Sequence, residues 1–250
     1  MLKVEGLAKH FGGVTVFTGV SFEAATGQVT ALIGPNGAGK STMVNIICGV
    51  FPGDAGTIEK DGRNLKDIAP ARAVEAGIAR TYQDVRLFPT LTLAENVLVA
   101  FPGQAGDQVH RLFMPGWKAQ ERRNREQALA LLSELGIADY ADTEAEQVPF
   151  GVQRLATVAR AAATGADTLL LDEPAAGIET AHIPRLTGCV KRLRDEGRTV
   201  VFIDHNVDVV AEVANQVVVL QGTVIASGDT ASVLRNEQVI KEYLGRIYDA

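Results

Sequence analysis

Four short apolar runs punctuate the chain: VTALI at 29–33, TLLL at 168–171, TVVFI at 199–203 and QVVVL at 216–220. Each is followed by turn or polar residues, and each reads as a strand. Helical spacing of apolar positions predicts helices over 40–49, 152–164, 183–196 and 206–214. Strands that alternate with helices predict a largely parallel sheet with crossover helices. The opening section is different. LKVEGLAKHFGGVTVFTGVSFEA reads as antiparallel hairpin material, with FGG as its turn.

Residues 91–150 break the alternation. They hold LTLAENVLVA, a Gly/Pro-containing connector over 102–116, and a charged helix, KAQERRNREQALALLSELG, in which Ala128, Leu131, Leu132 and Leu135 recur at helical spacing. This predicts a helical subdomain inserted into the α/β core. Its basic run ERRNRE interleaves acids with bases and reads as a solvated helix face, not a nucleic-acid patch. At its end, VPFGVQR (148–154) opens a further apolar, small-residue helix. Proline suits a first helical turn, where its missing N–H would be unpaired anyway. The Phe-Gly pair that follows it needs another reason.

Composition narrows the class. The 250 residues are enough for one large domain, or a core with an attached subdomain. A net charge of −6 carries no signature of a nucleic-acid binder, so none is expected as a partner. The two cysteines, Cys48 and Cys189, sit in apolar helix-like stretches and read as buried thiols, not a disulfide or metal pair. The N-terminus lacks a hydrophobic signal core, and no apolar run approaches the roughly 20 residues needed to span a bilayer. The expected location is cytoplasmic, with any membrane role exercised through a partner.

GPNGAGKST at 34–42 follows the strand VTALI and precedes a helix, which is the context a P-loop requires. Gly34, Gly37 and Gly39 let the backbone curl so that its N–H groups, with Asn36, approach phosphate oxygens, and the helix N-terminus adds positive potential. Lys40 would bridge the β- and γ-phosphates. The Ser41 hydroxyl would ligate Mg²⁺, with Thr42 beside the phosphates. TLLLDEP at 168–174 is a strand ending in two carboxylates: Asp172 suits the Mg²⁺ hydration shell, and Glu173 could orient or deprotonate an attacking water. His205, just beyond TVVFI, lies at the carboxyl end of a strand, where it could hydrogen-bond a γ-phosphate. Gln83 in RTYQD offers an uncharged group able to hold a water or Mg²⁺.

Together GPNGAGKST, TYQ, FGVQ…VARA, LLLDEPAAGIE and IDHN resemble the ATP-binding cassette family of ATPases, over essentially the whole chain. The resemblance implies a P-loop NTPase with a RecA-like core, an antiparallel β-subdomain and an inserted α-helical subdomain. The expected boundaries are about 1–90 and 156–228 for the core, 91–155 for the helical subdomain and 229–250 for a helical tail. It implies that Phe11 stacks on adenine, that Gln83 is the Q-loop glutamine, Glu173 the catalytic base and His205 the switch histidine, with ATP and Mg²⁺ bound. It further implies a pair of cassettes that clamp two ATP molecules, each site completed by the partner's signature turn. PAAGIE, with Gly177, resembles the D-loop of that interface, with Glu179 where the family usually has Asp.

TYQDVRLFPTLTLAENVLVA, the connector at 102–125 and the tail VIKEYLG at 239–245 resemble the branched-chain amino acid importer type. That implies a subunit docked on the inner face of a membrane permease, fed indirectly by an extracytoplasmic binding protein. It also implies a second ATPase subunit, with a heterodimer favoured over a homodimer. Leu87, Phe88 and Pro89 lie where the family receives a permease coupling helix. Import of amino acids leads; urea or amide import, or a soluble cassette ATPase acting on nucleic acid or ribosomes, are the alternatives. The family signature is Leu-Ser-Gly-Gly-Gln. Here Val148, Pro149, Phe150, Gly151 and Val152 stand at those places, followed by Gln153. This resembles the importer-type variant, with Val152 and Leu155 replacing residues normally polar or basic. The implication is a weakened anion turn offered to the partner's ATP.

Overall fold

The structure, a computed structural model, describes residues 1–65, 68–102 and 117–241. It divides into two compact units: Met1–Arg80 with Asp167–Glu173 and Val190–Ala250, and Thr81–Ala166 with Pro174–Cys189. The second unit thus takes in 81–90, 156–166 and 174–189 beside the helical segment expected at about 91–155. Residues 103–116 of the connector and 242–250 of the tail lie outside the described residues.

The chain begins with β1 (Leu2–Phe11), β2 (Val14–Ala24), β3 (Val29–Ile33) and α1 (Lys40–Ile47). Then come β4 (Ala55–Lys60), β5 (Arg63–Asn64), α2 (Pro70–Glu75) and β6 (Ile78–Arg80). The helices of the second unit include α3 (Leu93–Leu98), α4 (Trp117–Glu134) and α5 (Phe150–Ala163). After them follow β7 (Thr168–Asp172), α6 (Ile183–Asp195), β8 (Thr199–Ile203) and α7 (Val207–Val213). The described chain closes with β9 (Gln216–Leu220), β10 (Val224–Asp229), α8 (Thr230–Leu234) and the short α9 (Glu237–Val239).

The first unit holds two sheets. One is antiparallel, in the order β2-β1-β4-β5, and contains the expected hairpin, turned at Gly12 and Gly13. The other runs β10-β9-β3-β8-β7-β6, parallel throughout except for β10 against β9. Every residue of β3, β7 and β8 is buried, which is why these strands read as unbroken apolar runs instead of alternating ones. Leu32, Leu170, Val201, Ile203, Val218 and Leu220 of this sheet join one core cluster with Phe17, Met43 and Ile47.

In the second unit α3, α4 and α5 pack on one another. Ala128, Leu132 and Leu135 are fully buried and Leu131 half-buried, while Arg122, Arg123 and Arg125 face solvent, as the amphipathic pattern requires. Helix α3 starts at a reciprocal capping box: the Thr92 hydroxyl accepts from the Glu95 N–H, and the Glu95 carboxylate accepts from the Thr92 N–H. Helix α5 begins two residues earlier than its pattern predicts. Pro149 is its N-cap, at φ −55° and ψ 147°, so the proline stands one place before the first helical turn and not within it.

Candidate nucleotide site

Strand β3 lies inside the six-stranded sheet, between β9 and β8, and its carboxyl end delivers the chain into residues 34–39. Two glycines there are dictated by space as well as backbone. A Cβ on Gly34 would sit 2.0 Å from the Leu220 carbonyl oxygen. Gly39 caps α1 at φ 91°, and a Cβ on it would sit 2.6 Å from the Phe17 ring. Helices α3, α7 and α8 are each capped by a side chain, from Thr92, Asn206 and Asp229. Helix α1 has no side-chain cap and no acid in its first turn, so its leading N–H groups and positive dipole end suit an anion from outside the chain.

Lys40, 7% exposed, donates from its Nζ to the carbonyls of Gly34 (2.7 Å) and Pro35 (3.0 Å). An ammonium has three protons, so one remains for a phosphate oxygen. Burial lowers the Lys40 pKa from its usual value, and the carboxylates of Glu173 and Asp172 act against that shift. Ser41 and Thr42, the next residues of α1, are half-buried. Asn36 and Gly37 are exposed at the rim of the loop.

Asp172 ends β7 and is 1% exposed. Arg80, at the end of β6, approaches its Oδ2 with Nη2 at 3.9 Å and donates from Nη1 to Asn45 Oδ1 on α1 at 2.7 Å. This buried arginine therefore ties the carboxylate strand to the P-loop helix. Glu173 leaves the strand in the left-handed region, at φ 49°, with its N–H bonded to the Ile203 carbonyl of β8 at 2.8 Å. A non-glycine residue held there costs on the order of 1–2 kcal/mol. Beyond β8, Asp204 is buried and its Oδ1 accepts from the Asn206 N–H at 2.9 Å. His205 between them is exposed. The parallel order β3-β8-β7 thus brings Lys40, Ser41, Asp172, Glu173 and His205 to one edge, the carboxyl ends of neighbouring strands.

Phe11, at the end of β1, is 51% exposed, so its ring has a free side. Its other contacts hold it: Phe51 meets it edge-to-face at 5.5 Å between centroids, and Lys9 Nζ lies 5.2 Å from its centroid. Lys9 is in turn fixed by the Pro52 carbonyl and Asp54 Oδ1, both at 2.9 Å.

The remaining expected residues belong to the second unit. Gln83 is exposed, and its backbone carbonyl accepts from Arg154. Pro149 and Phe150 are exposed at the start of α5, and Gln153 Nε2 donates to the Val148 carbonyl at 3.0 Å. Gly151 is the second residue of α5, and a Cβ on it would lie 2.9 Å from the Gly177 carbonyl oxygen. Val152 and Leu155 are 5% and 0% exposed. Their departure from a polar pattern is explained by burial in the helical unit.

A family profile described as ABC transporter matches residues 17–176. The chain is 35% identical over 249 residues to the high-affinity branched-chain amino acid transport ATP-binding protein BraF of Pseudomonas aeruginosa, covering 98% of each chain. It is 32% identical over 249 residues to the corresponding protein LivG of Escherichia coli, again covering 98% of each. The crystal structure of a nucleotide-free ATP-binding cassette from an ABC transporter superposes with a TM-score of 0.81 at 30% identity, over 97% of this chain and 98% of that one.

The chain belongs to the ABC transporter family.

It is an ATP-hydrolysing cassette built on a P-loop core, and its fold class is the one that the strand-helix alternation and motifs predict. Arg80, Arg160 and Asn96 went unmarked in the sequence, and Arg154, which fits the importer-type signature pattern beside Gln153, had no partner assigned to it. Arg80 bridges Asp172 and α1; Arg154 and Arg160 reach the loop at 82–86; Asn96 secures the loop at 88–92. Asn96 is fully buried: its amide donates to the carbonyls of Phe88, Leu91 and Thr92, and its Oδ1 accepts from the Phe88 N–H. A polar residue on the apolar face of a short helix was the one signal that could have exposed it.

Proposed function

We propose that this cassette is the ATP-binding subunit of a branched-chain amino acid importer, working against a membrane permease and beside a second cassette. The carrying observation is the match to BraF and LivG, which runs nearly end to end in both chains. Among the described residues no helix is long and apolar enough to cross a membrane, so a membrane role passes through a permease. Phe88, 54% exposed and secured from behind by Asn96, gives that permease an apolar contact beside Pro89 and Leu87. An extracytoplasmic binding protein acts only indirectly, and cargo is chosen outside this chain. On this reading the cassette lies on the cytoplasmic face of the membrane.

The donor set fits Mg²⁺. In the first unit Ser41 offers a hydroxyl and Asp172 a buried carboxylate, both hard oxygen donors; the resemblance to the family adds the amide oxygen of Gln83. Held there, the ion would supply positive charge against the phosphates of bound ATP. Lys40 and the N–H groups of residues 36–42 grip those phosphates. Phe11 stacks on the adenine. Glu173 accepts the proton of the attacking water, Gln83 orients that water, and His205 donates to the γ-phosphate. Gly151, Gln153 and the start of α5, with Pro149, Phe150 and Gly177 around them, face the nucleotide held by the partner cassette. That anion turn has lost the serine hydroxyl, and Pro149 removes a backbone donor, so the trans site is the weaker of the two.

Two measurements test this reading. Capture of the tagged chain from native membranes should bring down a permease and a second cassette; salt-sensitive retention on DNA or ribosomes with no permease refutes the transport role. In the assembled complex, Lys40→Ala should abolish productive ATP binding. Glu173→Gln should keep nucleotide affinity and reduce turnover at least a hundredfold. Normal turnover by Glu173→Gln removes Glu173 as the base.

A further inference from the structure

Helix α5 holds more than the start that faces a partner's nucleotide. Arg154, 4% exposed, donates from Nη1 to the carbonyls of both Tyr82 (3.1 Å) and Gln83. Two turns on, Arg160 donates from Nη1 to the carbonyl of Arg86. The Arg86 guanidinium returns to lie over the Tyr82 ring, 4.1 Å from its centroid. Two arginines of one helix therefore grip three carbonyls of a five-residue loop that has no strand or helix of its own. A charged donor on a carbonyl is stronger than a neutral one, and the planar guanidinium is well shaped to hold adjacent carbonyls together.

Contact with Phe150 carries the second half of the arrangement. The Phe150 ring, one turn earlier, lies 5.1 Å from its guanidinium carbon. That ring also sits against Gly177, where a Cβ would come within 2.9 Å of it. Gly151 meets the Gly177 carbonyl just as closely. All these residues lie in one compact unit. We infer that Arg154, buttressed by Phe150, is a positioning residue that locks the Gln83 loop to α5 and to the Gly177 turn, so that the three segments move as one piece.

This explains why an aromatic residue stands at 150, where the wider family has a small one. Its ring completes the arginine's seat and need not touch nucleotide. It also gives the protein a device. A partner nucleotide that draws in the start of α5 would carry Gln83 with it, so occupancy of the trans site sets the position of the water-orienting glutamine. The last step rests on the roles proposed above for Gln83 and the signature turn; the lock itself does not.

The test uses the full chain and its Arg154→Met, Arg154→Lys, Phe150→Leu and Gln83→Ala variants. Hydrogen exchange at the backbone amides of 82–86 reads the lock directly. Exchange there should rise at least tenfold in Arg154→Met and return to within threefold of the parent in Arg154→Lys. Phe150→Leu should raise it less, and the double variant with Arg154→Met should add nothing further. In the assembled complex Arg154→Met should lower kcat about tenfold with KM for ATP changed less than twofold. Unaltered exchange in 82–86 of folded Arg154→Met overturns the lock, and so does strict additivity of the Phe150 and Arg154 effects. If exchange behaves as expected but Gln83→Ala hydrolyses ATP normally, the lock stands and the glutamine's proposed role is what fails.

Discussion

Replacing Gly151 by alanine separates two explanations of an odd helix start. Gly151 has ordinary helical backbone, so no left-handed strain enters the comparison. Alanine in a helix is favoured over glycine by at most about 1 kcal/mol. Against this, the new Cβ would sit 2.9 Å from the Gly177 carbonyl oxygen and 3.3 Å from the Ile178 Cα. Both neighbours are backbone, and Gly177 is itself close against the Phe150 ring, so the turn has little room to retreat. Overpacking of this kind costs about 1–3 kcal/mol. The balance is a net loss of about 1–2 kcal/mol, a fall in melting temperature of about 2–8 °C for a chain of this size.

Gly188 supplies the control. It lies in α6, it is exposed, and a Cβ there would meet nothing within 4 Å. Gly188→Ala should therefore raise the melting temperature by about 1–4 °C from helix propensity alone. Both variants can be followed by differential scanning calorimetry of the full chain, and the opposite signs carry the argument. A rise for Gly151→Ala comparable to that for Gly188→Ala refutes the close approach. Gly151 would then be a glycine kept for the partner's phosphate alone.

Two further outcomes concern the buried thiols and an acid of the β1–β5 sheet region. Cys48 is buried and its thiol is pushed up to about 11 by burial, with Arg80 acting in the opposite direction, while Cys189 is fully buried. A thiol reagent at pH 8 should leave both unmodified in the native chain and titrate both in urea; rapid native labelling refutes this burial. Asp61 is held down to about 2 by hydrogen bonds from Lys60 and from the Met1 amine. Its folded pKa is depressed, so its contribution is present above the unfolded value of 3.8 and is lost as pH falls towards 2. Asp61→Asn tolerates the left-handed backbone there, at φ 50°. The stability gap between parent and variant should be constant between about pH 5 and 7 and shrink below it; a gap unchanged down to pH 2 refutes the coupling.

Much of the core and its chemistry was legible in advance, for a local reason. Strands β3, β7 and β8 are buried at every position, so their sequences are unbroken apolar runs that stand out from their flanks. The P-loop is a contiguous motif whose glycines answer to nearby backbone, and Asp172 and Glu173 follow directly from a strand end. The less legible parts were of another kind. Arg154 and Arg160 read as charged residues of a helix, and nothing local marks which carbonyls they reach. Their partners at 82–86 lie about seventy residues earlier in the chain. The proline of VPFGVQR suits a first helical turn by propensity; its extended ψ places it at the cap.

The sequence by itself determined that a P-loop joins a strand to a helix and that a strand ends in paired carboxylates, since both are patterns of adjacent residues. It also determined where most core strands and helices begin and end. Only the tertiary structure decided that β3 lies between β9 and β8, that Arg80 joins Asp172 to α1, and that Phe150, Arg154 and Gly177 close on the Gln83 loop. Pairing between distant strands and donation to backbone carbonyls depend on long-range packing. Every residue has a carbonyl, so composition and periodicity carry no trace of which one an arginine will meet.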